Sequence, residues 1–258
     1  MKPEAIEAGL RHHRLASIAA LAVLAMLAWA WLISGAGMDM ALMTELALFP
    51  HIAADTMAMP ASFAMLFAMW WVMMVAMMIP SAAPTILLYG RAARHGGIAS
   101  PSTGPFLLGY LLVWGIFAAI AAGVQLLLQD GMLVTGMAMS SASRAFSAVL
   151  LVGAGLYQLS PLKDRCLSKC RNPAMFIARH QRPGATGALR LGLLHGSYCA
   201  GCCWALMAIL FVGGVMNIVW IAILTLLVAA EKLLPRGTAV ARVLGVVLIA
   251  WGAATLLV

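Results

Sequence analysis

The sequence predicts an all-α fold: a polytopic bundle of about seven helices crossing a lipid bilayer, N-terminus inside and C-terminus outside. Three observations carry this. Of the 258 residues, 64% are hydrophobic and 9% are charged, with a mean hydropathy of +1.00. A soluble domain carries about 25% charged residues, so this chain lacks the surface of a soluble enzyme. The same composition excludes a disordered chain and a disulfide-stapled secreted domain. Second, apolar runs of about 20 residues recur, the length a helix needs to cross the hydrocarbon core. Third, Lys and Arg alternate between successive loops.

The elements follow in order. Lys2, Arg11 and Arg14 place residues 1–14 inside, ahead of a first span at 15–34. Its apolar stretch exceeds the roughly 7–15 residues of a signal peptide, which favours a retained anchor. Residues 35–60 form an outer Met-rich loop with Asp39, Glu45 and Asp55 and no Lys or Arg. The second span, 61–89, ends near Pro80 and Pro84, which should kink it and free backbone carbonyls. Arg91 and Arg94 lie inside, ahead of the third span at 106–128. The next loop, 129–143, has only Asp130 and lies outside. The fourth span is 145–159. A basic inner loop, 163–190, holds Lys163, Arg165, Lys169, Arg171, Arg179, Arg182 and Arg190. Spans five, six and seven are 191–212, 215–230 and 239–257, with Lys232 and Arg236 inside between the last two. Residues 1–258 thus read as one integral membrane domain, expected in a bacterial inner membrane. The net charge of +8 is mostly an inside-face device rather than a nucleic-acid footprint.

Nineteen methionines stand out in this chain. Met38/Met40, Met57/Met59 and Met137/Met139 form Met-x-Met pairs in the outer loops. Thioethers are soft, uncharged ligands that suit Cu(I) and discriminate against Mg, Ca and Mn. His51, Asp39 and Asp55 would add capacity for a divalent ion. The other reading is that methionine fills loosely packed surface. In the second span Met65, Met69, Met73 and Met77 are each four apart, with Met74 and Met78 beside them. On a helix these make a slowly winding sulfur stripe. A stripe of this kind passes Cu(I) by ligand exchange, or it simply packs.

Five cysteines fall in two groups, Cys166-x3-Cys170 and Cys199-x2-Cys202-Cys203. No pair lies in a long outer loop, so a structural disulfide framework is not expected. His195, Cys199, Cys203 and Met207 are each four apart and share a helix face. Gly192, Gly196 and Gly201 let a neighbouring helix approach closely. Thiolate, imidazole and thioether together favour Cu(I), with Zn(II) or another transition metal second. A redox pair or plain packing are the alternatives. Lys163, Arg165, Lys169 and Arg171 flank Cys166 and Cys170 and would favour their thiolates, an inner receiving site, with His180 nearby. Glu231-Lys232 reads as a snorkelling ion pair or a coupling carboxylate. Gln158 and Asn217 read as interhelical hydrogen-bond partners. No Walker motif or dinucleotide fingerprint occurs.

Several of these motifs resemble a bacterial family of predicted metal-binding integral membrane proteins, a domain of unknown function. The likeness rests on Met69-Trp70, Met73-Met74-x2-Met77-Met78-x-Pro80-Ser81 and Tyr157-Gln158-Leu159-Ser160-Pro161-Leu162-Lys163. It continues through Cys166-x3-Cys170-Arg171-x-Pro173, Gly192-x3-Gly196-x2-Cys199-x2-Cys202-Cys203-Trp204 and Glu231-Lys232-x2-Pro235-x-Gly237. The resemblance implies metal binding within a membrane. The Met-x3-Met spacing is also similar to that of eukaryotic copper importers, as a short motif.

The residues point first to Cu(I) uptake or delivery, without enzymatic activity. Outer methionines capture the ion, the stripe and the His195–Cys203 segment move it, and Cys166 and Cys170 hand it on. The expected partners are the bilayer, a metallochaperone or copper-enzyme assembly partner, and a second copy of the chain. Two other classes stay open: a membrane thiol oxidoreductase or metalloenzyme-assembly factor, and a structural subunit of a larger membrane complex.

Overall fold

The computed structural model describes residues 3–36, 62–95, 103–135 and 139–257. It is 86% helical. Among the described residues there are ten helices: α1 (Pro3–Ile33), α2 (Phe63–His95), α3 (Thr103–Asp130), α4 (Arg144–Gln158), α5 (Pro161–Arg171), α6 (Pro173–His180), α7 (Gly184–Ala208), α8 (Leu210–Gly213), α9 (Ile218–Leu233) and α10 (Gly237–Leu257). Five segments are long and apolar enough to cross a membrane: Leu15–Ile33, Phe63–Ala92, Thr103–Asp130, Gly184–Gly213 and Gly237–Leu257. A sixth arises if α4 and α5, bent by 63° at their junction, count as one. α9 has 16 residues, a length of roughly 24 Å against a core of about 30 Å.

Helix pairing explains the glycine pattern. α3 packs on α7, and α4 on α10. A Cβ on Gly192 would collide with the Phe106 carbonyl, and one on Gly109 with the Leu189 carbonyl. Gly196 faces Val113 at 3.0 Å. Small residues on both helices thus let the two backbones touch.

α2 runs on through Pro80 and Pro84. Proline lacks an N–H, so Pro80 leaves the Ala76 carbonyl without its helical donor. Trp29 Nε1 on α1 supplies one at 3.1 Å. The expected freed carbonyl is therefore real, and a neighbouring helix uses it.

The α4–α5 break is encoded locally. Ser160 caps α5 by accepting from the Lys163 N–H, and Pro161 takes the first helical position. The basic stretch read as an inner loop is thus largely helical, comprising α5, α6 and the start of α7. The reason is that Ser160 and Pro161 start α5 and that Lys163, Leu167, Cys170, Phe176 and Ile177 bury one face of α5 and α6, while the other polar residues stay exposed or half-buried. Lys163 itself is fully buried. Asn217 serves as the N-cap of α9, accepting from the N–H groups of Val219 and Trp220. Gln158 does bond across helices, to Glu231 on α9.

Candidate functional site

The second-span methionines lie inside the bundle. Met69, Met73, Met74, Met77 and Met78 are all fully buried, and Met65 is half-buried. Of these, Met78 reaches the cysteines: its Sδ lies 3.9 Å from Cys203 Sγ.

Cys199, Cys202 and Cys203 on α7 are each 1% exposed. Cys202 and Cys203 donate their thiol hydrogens to the Cys199 carbonyl, at 3.1 and 3.0 Å. The helical spacing dictates this, since residues three and four apart lie over one another. Cys170 on α5 is buried and faces Cys199 and Cys202. Cys166, one turn earlier, faces Gly201, where a Cβ would lie 3.0 Å from its sulfur. Tyr157 clamps the same spot, donating to the Gly201 carbonyl at 2.5 Å. The two cysteine groups, about 30 positions apart in the chain, therefore form one cluster between α5 and α7. All five cysteines are free thiols.

A cation completes the cluster. Lys232 on α9 points its Nζ at Cys199 Sγ (3.0 Å), Ser81 Oγ (3.2 Å) and Met78 Sδ (4.0 Å). Tyr110 on α3 adds its hydroxyl 3.1 Å from Cys199 Sγ and 3.4 Å from the Met78 carbonyl. The sequence reading of Glu231-Lys232 as a pair is corrected here. Glu231 pairs instead with Lys163 at 2.6 Å, with Gln158 bonded to both. Adjacent helix positions point about 100° apart, so consecutive residues cannot face each other. That signal was present in the sequence. Tyr110 carried no sequence signal, and Ser81 was visible only as part of the Pro80-Ser81 motif.

The flanking bases also behave differently from expectation. Lys163 turns to Glu231 and Arg171 donates to the carbonyls of Glu231 and Pro235. Two of the four bases flanking Cys166 and Cys170 therefore serve the α5–α9 contact rather than the thiols.

His195 sits one turn before Cys199 but among rings: Phe106, Tyr110 and Phe176 lie with centroids 5.9, 5.8 and 5.6 Å away. Its Nδ1 is buried without a hydrogen-bond partner. Met139 is buried, in a left-handed backbone conformation (φ 47°), and its carbonyl accepts from Val215. Met38, Met40, Met57, Met59 and Met137 lie outside the described residues.

Among the described residues, no three His, Cys, Asp or Glu side chains are arranged to hold a metal ion. The hydrogen bonding explains this, because two of the thiols aim at a backbone carbonyl instead of a common point. The donor set is nonetheless soft: five thiols and the thioether of Met78. Such a set suits a soft monovalent cargo held by two or three sulfurs rather than a hard divalent ion.

No curated protein and no solved structure matches the chain. A family model does: PpoB2, described as a copper chaperone, matches residues 67–255. The match takes in α2 from Phe67 onward, every sulfur of the cluster, and Lys232. It ties the chain to copper handling and agrees with the metal-related family that the motifs resembled. This chain belongs to the PpoB2 copper-chaperone family.

Proposed function

We propose that this protein is a membrane-embedded Cu(I) carrier that passes the ion from the thioethers of α2 to the thiols of α7 and α5. One observation carries the reading. Met78 Sδ on α2 lies 3.9 Å from Cys203 Sγ on α7, and Cys199 and Cys202 of that same helix face Cys170 on α5. Cu(I) moves readily between two- and three-coordinate sulfur sites, and each step here exchanges one sulfur for the next. Affinity rises along the series, because a thioether is neutral and a thiolate is charged. The expected direction is therefore from Met69, Met73, Met74 and Met77 towards Cys166 and Cys170. Met38, Met40, Met57, Met59, Met137 and Met139 serve as outer capture groups. His195 stands beside the path.

The chain is read as a multi-pass protein of a bacterial inner membrane, N-terminus inside and C-terminus outside, with α4–α5 and α9 completing seven spans. Its receiving partner is a metallochaperone or a copper enzyme under assembly. No catalytic step is assigned. The close approach of Cys170 to Cys199 and Cys202 also favours a second reading, thiol–disulfide exchange.

Anaerobic Cu(I) titration of the purified full-length chain, with elemental analysis, tests the first reading. The wild type should bind Cu(I) stoichiometrically, and a Cys199→Ala, Cys202→Ala, Cys203→Ala variant should not. Unchanged binding in that variant, or no binding in the wild type, overturns it. Non-reducing mass mapping in native membranes separates the second reading, which requires a disulfide joining Cys170 to Cys199 or Cys202.

A further inference from the structure

We propose that Lys232 is the counter-cation that selects a monovalent metal at the Met78–Cys199–Cys203 end of the sulfur series. This inference rests on the copper reading above and names what sets its selectivity.

Lys232 is 8% exposed and reaches into the bundle from the last turn of α9. The neighbouring carboxylate, Glu231, is engaged with Lys163. The partners of Lys232 are acceptors: the sulfurs of Cys199 and Met78, and the oxygen of Ser81, whose own hydrogen goes to the Met78 carbonyl at 3.0 Å. An ammonium has three donors and no acceptor, so three acceptors complete its shell. Tyr110 faces the same sulfur from α3, and Cys202 and Cys203 on α7 also face the ammonium.

Charge arithmetic gives the consequence. Two thiolates carry −2, and Lys232 carries +1. A Cu(I) ion brings the buried assembly to zero, and Met78 adds a neutral third ligand. A Zn(II) ion in the same place leaves it at +1. A buried net charge is costly, so the fixed ammonium favours the monovalent ion. Removing the ammonium reverses the balance: −1 with Cu(I) and zero with Zn(II). Lys232 thus acts as a selectivity residue that touches the ligand Cys199 without ligating the metal.

The test compares the full-length wild type with Lys232→Leu, Lys232→Gln and Lys232→Arg. Cu(I) and Zn(II) affinities are measured separately by competition with a chromogenic chelator. Lys232→Leu and Lys232→Gln should each lower the Cu(I)-over-Zn(II) preference at least tenfold, and Lys232→Arg should restore most of it. Lys232→Gln keeps a donor for Ser81, so it covers the case in which the Leu variant fails to fold. An equal loss for both metals, or an unchanged preference, overturns the inference and leaves the copper reading standing. Failure of the wild type to bind Cu(I) overturns the copper reading itself.

Discussion

Replacing Lys163 by Met breaks a fully buried ion pair. Lys163 and Glu231 are 0% and 1% exposed and 2.6 Å apart, with Gln158 as third member. In Lys163→Met, Glu231 keeps only the Gln158 amide at 2.8 Å among its side-chain partners here. Removing one partner of a buried pair costs about 3–5 kcal/mol, because a charge is left uncompensated. At about 1.4 kcal/mol per decade, the folded-to-unfolded ratio falls roughly 100- to 4,000-fold. The double variant Lys163→Met, Glu231→Gln leaves two amides that satisfy each other, so most of the loss should return. The assay is reversible unfolding in mixed micelles of rising SDS fraction, followed by far-ultraviolet circular dichroism. A single-variant cost below about 1 kcal/mol, or a double-variant cost equal to the sum of the singles, refutes the reasoning. The pair joins the α4–α5 break to α9, so it also fixes Lys232, the next residue, against Cys199.

Other outcomes follow from the same geometry. Arg242→Ala, which removes a pair with Asp164 that is 3.6 Å long and 67% and 37% exposed, should change stability by less than about 0.5 kcal/mol in the same unfolding assay. Gly192→Ala places a Cβ against the Phe106 carbonyl, so α3 and α7 must separate; a loss of about 1–3 kcal/mol is expected, and a neutral result would mean the helices do not touch there. Gly201→Ala presses on Cys166 and should slow Cu(I) transfer to an acceptor thiol while leaving total Cu(I) bound unchanged, as read by stopped-flow mixing with a chromogenic chelator. His195→Phe should leave Cu(I) stoichiometry unchanged, since the ring already lies among aromatic neighbours; a lost equivalent in the titration would make His195 a ligand.

Much of the architecture was legible because long apolar runs are a plain signal for helices. Runs of apolar residues gave α1, α2, α3, α7 and α10 nearly at their observed places. The Ser160-Pro161 pair carried a helix start, yet the basic composition around it suggested a loop. Tertiary packing decided that case: Lys163 finds a buried carboxylate on α9, a partner 68 positions away that no local pattern reveals. The convergence of Cys166 and Cys170 with Cys199 and Cys202 was hidden for the same reason. Periodicity gives the face on which a side chain sits, not the helix opposite. Lys232 was misassigned because sequence adjacency to Glu231 was read as contact. The stripe of Met69, Met73 and Met77 was legible in full as a pattern. All three are fully buried.

The most direct test of Cu(I) passage through sulfur is copper K-edge absorption spectroscopy of the loaded full-length protein. The expected spectrum is that of Cu(I) with two or three sulfur neighbours and no nitrogen or oxygen shell, lost in the Cys199→Ala, Cys203→Ala variant. A shell rich in nitrogen or oxygen, or a sulfur shell that survives that variant, would contradict it.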